Sequence, residues 1–128
     1  YAIPERSGAL DRPFPVYRFE GDTWDRNWSL PRLGDYLVSG ADIFEDQLYI
    51  LERDLAGFRG FTSRIRRFDI GAAQGEVLTT TAPGAFDNLE GIALWRPQTG
   101  APRILLISDD NFLFLQRTEL VEMVLNHP

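Results

Sequence analysis

Four oxygen-bearing side chains fall in two short stretches of this sequence: Glu90 in Asn88-Leu89-Glu90-Gly91, and Asp109, Asp110 and Asn111 after Ile107-Ser108. If the two stretches are neighbouring antiparallel strands, Glu90 at the start of one and Asp109 at the end of the other share an edge. Clustered carboxylates with an adjacent Asn suit a hard cation, and calcium is the ion that such a set fits best. A bound cation would hold a phosphate or activate water. Glu90, Asp109 and Asp110 are therefore the candidate catalytic and metal-ligating residues. Asn111, Glu52, Arg53 and Arg117 are the candidate ligand contacts, the arginines for their fit to oxyanions. The competing reading is a turn, in which Asp and Asn bond nearby backbone amides.

Other chemistry is excluded by composition. There is no Cys, so thiolate catalysis is excluded; the one His, His127, lies next to the last residue, so a multi-histidine metal site cannot be built from this chain alone and a Ser-His-Asp triad is not expected. General acid–base work falls to a carboxylate. All 13 basic residues are Arg, and the net charge of −6 argues against a nucleic-acid backbone or an anionic membrane as the main partner. No apolar run reaches membrane-spanning length. The sequence starts at Tyr1 rather than Met, as a processed or excised piece would, from which an upstream export signal could have been lost.

The elements that position these residues read as strands. Residues 1–5 form a strand end, and 16–19 and 23–30 flank a tight Gly21-Asp22 turn. Residues 36–44 and 47–52 flank a turn at Glu45-Asp46, 61–70 alternates in part, and 76–81 is an outer strand. The last unit runs 89–95, then 103–108, then an irregular aromatic stretch with Phe112, Phe114 and Leu115, and closes at 118–125. Leu120, Val121, Val124 and Leu125 also suit helical spacing, but the repeat favours a strand.

That repeat has a period of roughly fifty residues. Residues 39–44 stand over 89–94, 48–53 over 104–109, and 64–70 over 119–125. Upstream, 1–6 stands over 48–53, with Glu5 over Glu52, and 16–19 over 65–68. Three or four strands per unit of roughly 40 to 50 residues predicts an all-β fold of antiparallel, propeller-like blades. The units are about 1–34, 35–84 and 85–128. About two and a half units fall short of the roughly four that closure needs, so open faces are expected to be covered by neighbours or by self-association. An ordinary β-sandwich is the plainer alternative. Glu5 and Glu52 would converge on one rim, with Asp42 either joining them or serving a tight strand entry. Arg64, Arg66 and Arg67 read as a basic strip paired to acids or binding phosphate, and Trp24, Trp28 and Trp95 as packing between blades.

The stretches Asn88-Leu89-Glu90-Gly91-Ile92-Ala93-Leu94, Ser108-Asp109-Asp110-Asn111-Phe112 and Gln116-Arg117-Thr118 resemble the end of a phytase-like domain, the "esterase-like activity of phytase" family. Gly40-Ala41-Asp42, the Leu48-to-Arg53 strand and Arg64 to Arg67 resemble its penultimate unit. The resemblance covers nearly the whole chain and the C-terminal part of the family's domain. It implies a β-propeller that is periplasmic or secreted and hydrolyses a small-molecule ester or phosphate ester. The alternative it leaves is a non-catalytic propeller that binds a ligand or protein.

Overall fold

The computed structural model describes residues 1–55, 57–110 and 116–125. Asn111, Phe112, Phe114, Leu115 and His127 lie outside them. The described chain is all-β apart from one 3-10 turn, Gly57–Arg59. Three antiparallel sheets follow in sequence order, and each is open. Strands β1 (Phe14–Glu20) and β2 (Thr23–Leu30) form the first, with residues 1–5 beside it through an Ala2–Tyr17 bridge. The second has four strands: β3 (Leu37–Phe44), β4 (Gln47–Leu55), β5 (Phe61–Asp69) and β6 (Gly75–Thr80). The third has β7 (Leu89–Trp95), β8 (Arg103–Ser108) and β9 (Leu120–Val124). The segment that also suited a helix is thus a strand, held by β8.

Two-residue turns set the hairpins. Gly21 and Asp22 both have positive φ, as the hairpin turn between β1 and β2 demands. Glu45 and Asp46 do the same between β3 and β4 without a glycine, a strain of about 1–2 kcal/mol per residue. Glu45 has a second task that Gly could not perform. Its carboxylate grips Arg96, at the end of β7, with Nη2 at 2.6 Å and Nε at 2.8 Å.

The alternation of side chains along β4 puts the second sheet between the other two. Leu48 and Ile50 face the first sheet and pack with Phe14, Val16, Leu30, Val38 and Phe68. Tyr49 and Leu51 face the third and pack with Ile65, Leu89, Leu94, Ile104 and Leu106. Beyond Ile50 on the same face comes Glu52, whose side chain is fully buried. Both of its oxygens are taken by Arg64 and Arg66, across from it on β5, at 2.7–2.9 Å. The spare donors of the two arginines reach the Leu33 and Pro31 carbonyls, which ties the 31–36 connection to the second sheet. The arginine strip is therefore split. Arg64 and Arg66 are buried charges, whereas Arg67 points to the opposite face and pairs with Glu76. Burial works against the Arg67 charge, but its bonds to Glu76 and Tyr49 raise its pKa on balance.

The contact between the second and third sheets is close because of Gly40. A Cβ there would lie 2.8 Å from the Glu90 carbonyl oxygen. Asp42 fastens the same contact by accepting the Leu94 N–H at 2.6 Å. It is a clamp between β3 and β7. Gly40→Ala is expected to force the two strands apart and cost about 1–3 kcal/mol, read as a lower urea midpoint with unchanged slope. An unchanged midpoint would show that β3 and β7 are free to slide.

The β3 and β7 strands carry the same bulge, between Val38 and Gly40 and between Leu89 and Gly91. This places Gly40 over Gly91 and Ser39 over Glu90, one residue from the register expected for 39–44. A similar correction applies upstream. Ala2 bridges Tyr17 as Ile50 pairs with Arg66, so Glu5 stands over Arg53 rather than over Glu52.

Candidate functional site

With that register, Glu5, Arg53 and Asp109 occupy one position in three successive units, Glu5 after the Ala2 bridge, Arg53 near the end of β4 and Asp109 just past β8. Arg53 follows Glu52 and so points to the other face of β4, toward the third sheet. Its Nη1 donates to Asn88 Oδ1 and lies 2.8 Å from Glu90 Oε1. Its Nη2 lies 3.4 Å from Glu5 Oε1. One guanidinium thus joins groups from all three parts of the fold, and its Cζ stands 6.0 Å from the centre of the Phe61 ring.

Glu90 is held firmly on one side only. Oε1 receives Arg53 and, at 2.7 Å, the Asn88 amide. Oε2 accepts no hydrogen bond from the described residues, and the side chain is 35% exposed. Asn88 is buried and anchors the group: its N–H donates to Asp87 Oδ1, and its carbonyl accepts the Asp109 N–H at 3.0 Å. Asp109 therefore starts at the same edge as Glu90, as the strand pairing predicted. Its neighbour Asp110 accepts a bond from Thr118 Oγ1 at 3.3 Å.

Arg117 sits a little apart. Its N–H donates to Asp87 Oδ2, its carbonyl accepts the Ser108 hydroxyl, and its side chain lines a cleft of about 540 Å³ with Asp87, Gln116, Glu119 and Phe61. Glu52 does not reach the rim. It is sealed in the arginine triad and cannot contact a ligand, because the face that Arg53 presents outward is the one that Glu52 turns away from. The two residues that sequence reasoning undervalued are Asn88 and Glu5. Asn88 is legible in the sequence only as part of a strand entry, and the repeat places Glu5 one residue out of register.

Calcium would need several oxygens turned toward one point. Among the described residues, no group of three or more His, Cys, Asp and Glu side chains could hold a metal ion. Glu90 Oε1 is committed to Arg53 and Asn88, so among the described residues Glu90, Asp109 and Asp110 do not make a calcium site, and Asn111 lies outside them. Among the described residues, also, no helix is long and apolar enough to cross a membrane.

Fold and rim together define an all-β protein of stacked antiparallel meanders that gathers opposite charges where its strand ends meet. The chain belongs to the phytase-like family: the family model for the esterase-like activity of phytase matches residues 1–112. Membership points to a hydrolase-type function. No curated protein and no solved structure gives a significant match.

Proposed function

We propose that this chain is part of a hydrolase of small ester or phosphate-ester substrates, acting at the rim where Glu5, Arg53, Asn88 and Glu90 meet. One observation carries the reading: Glu90 is fixed through Oε1 by a cation and an amide, while Oε2 takes no hydrogen bond from the described residues on a side chain that is 35% exposed. A carboxylate held in this way is a positioned base. In the proposed step Glu90 takes a proton from water as the water oxygen bonds to the carbonyl carbon or the phosphorus. The bond to the leaving alkoxide then breaks, and the alkoxide leaves with a proton from solvent or from Asp109 or Asp110. Arg53 and Arg117 steady the anionic charge. No step is routed through a metal. The family supports a location outside the cytoplasm, periplasmic or secreted, as part of the same proposal.

A second reading has its own support. The chain of contacts from Glu5 through Arg53 to Glu90 satisfies itself, as it would in a non-catalytic binding module. Turnover of a chromogenic phosphate ester and a chromogenic carboxylic ester, with and without chelator, separates the two. Turnover that survives chelator and is lost in Glu90→Gln supports the hydrolase. Turnover abolished by chelator overturns Glu90 as an arginine-held base. No turnover of either ester leaves the binding module.

The three sheets are proposed to be successive propeller blades, and the register supports this. Tyr49, Leu51 and Ile65 are buried where the second sheet meets the third. Leu105, Ile107 and Leu120 hold the same positions one unit later and are exposed, Leu120 by 69%. The opposite end of the stack shows Phe19 and Trp24, with Phe19 at the position of the buried Phe68. A second copy meeting these faces head to tail would cover both. Sedimentation is expected to give a concentration-dependent oligomer that Leu105→Asp with Leu120→Asp returns to monomer. A monomer at every concentration refutes the self-association.

A further inference from the structure

Three arginines without an acidic partner gather at one place. Among the described residues Arg6, Arg12 and Arg32 make no ion pair, although acids outnumber bases by 19 to 13 in this chain. Arg6 and Arg32 line a cleft of about 300 Å³ together with the Ser7-to-Leu10 loop, Asp35 and Leu37. Arg12 adjoins it: its Nη1 lies 3.9 Å from where a Cβ on Gly8 would stand.

Arg32 is the informative member. It is half-buried, with Cζ 4.6 Å from the centre of the Phe14 ring. Its hydrogen bonds go to neutral groups only, Nη1 to the Ser7 hydroxyl at 3.1 Å and Nη2 to the Tyr36 carbonyl at 2.9 Å. Its Nε–H is buried and donates to no acceptor among the described residues. A buried donor without an acceptor is rare in folded proteins, and a half-buried cation without a counter-charge is costly. The two arginines of the second sheet that are buried, Arg64 and Arg66, show the usual remedy, since both are matched to Glu52. Arg32 lacks that remedy within its own surroundings, and Asp35 is the one acid lining the cleft.

We propose that this cleft is an oxyanion-binding site, taking a phosphate group between Arg6 and Arg32 with Arg12 at its margin. Planar guanidinium forks suit phosphate oxygens, and the Ser7 hydroxyl that Arg32 already contacts adds a polar wall. Ala9, Leu10 and Leu37 leave the remainder of the cleft apolar. The site therefore accepts a phosphate attached to a carbon skeleton better than a bare ion. Its residues are distinct from the Arg53–Glu90 cluster, so the site does not depend on the hydrolase reading.

The test is equilibrium binding of inorganic phosphate and of a phenyl phosphate ester by calorimetry, at low salt, on the chain and on Arg6→Gln, Arg32→Gln and Arg18→Gln. Saturable binding is expected, tighter for the phenyl ester, and weakened about tenfold or more by either cleft arginine change. Arg18→Gln, an exposed arginine of β1 that pairs with Glu20 outside the cleft and the rim, is expected to leave it unchanged, which separates this site from a general loss of positive charge. Arg32 also braces Phe14, so Arg6→Gln, at an exposed position, gives the reading that does not rest on a packing residue. Absence of saturable binding overturns the proposal, as does binding that ignores both cleft arginine changes, which would lie elsewhere, or that Arg18→Gln weakens equally.

Discussion

Glu52→Ala is expected to lower the unfolding free energy by about 3–5 kcal/mol, the usual cost of removing one member of a buried ion pair. The reason is what stays behind. Arg64 and Arg66 are 7% and 4% exposed, so both charges would remain in the interior with only the Pro31 and Leu33 carbonyls to meet them. The loss should appear as a lower urea midpoint and, in a domain of this size, a fall of roughly ten degrees or more in Tm. Glu52→Gln should do slightly better, since it keeps an acceptor but not the charge. The 31–36 connection should loosen as well, with faster amide exchange there than in β7–β8. A cost below about 1 kcal/mol would mean that water reaches the triad, and the inward placement of Glu52 would have to be abandoned.

The second large effect concerns the rim. Glu90→Gln is expected to reduce kcat by about 10²–10⁴-fold with a small change in KM, the range for loss of a general base. The substitution is close to silent structurally. A glutamine oxygen can still accept the Arg53 and Asn88 bonds that Glu90 Oε1 accepts now. What disappears is the basic Oε2. Arg53→Ala removes the anchor instead, and it frees Glu5, Asn88 and Glu90 at once, so both kcat and KM should worsen. If Glu90→Gln keeps turnover within about threefold, Glu90 is not the base. Asp109→Asn and Asp110→Asn then become the informative variants.

These two residues show how unevenly sequence and structure share the information. Strand positions were legible because they rest on local chemistry: Gly21-Asp22 at a hairpin, β-branched and aromatic runs, and prolines at the breaks. The segment that closes the chain was ambiguous between strand and helix from its own residues, and the unit-to-unit repeat resolved it correctly. Pairing of the two neighbouring strands brings Glu90 and Asp109 to one edge, where the β7–β8 pairing and the Asn88–Asp109 bond put them. In detail the repeat is one residue out of register at 39–44 and at 1–6. A single extra residue at Val38–Gly40 reverses which side chain faces which sheet, and no residue type announces it. Glu5 stands over Arg53 and not Glu52 because Ala2, through its bridge to Tyr17, takes the place of Ile50, a long-range pairing that no local residue pattern shows.

The sequence by itself determined that the protein is all-β, that it repeats, that its chemistry must rest on carboxylates and arginines, and that charge collects at strand ends. Those are consequences of composition and local spacing. Only the tertiary structure decided which charges are buried and which are open. Glu52 and Arg53 are adjacent in the chain, yet one is sealed between sheets and the other joins three of its parts at the rim. The two faces of a strand are equivalent until sheets stack on them, so the partners of each face are set by stacking and not by any property of the residues alone.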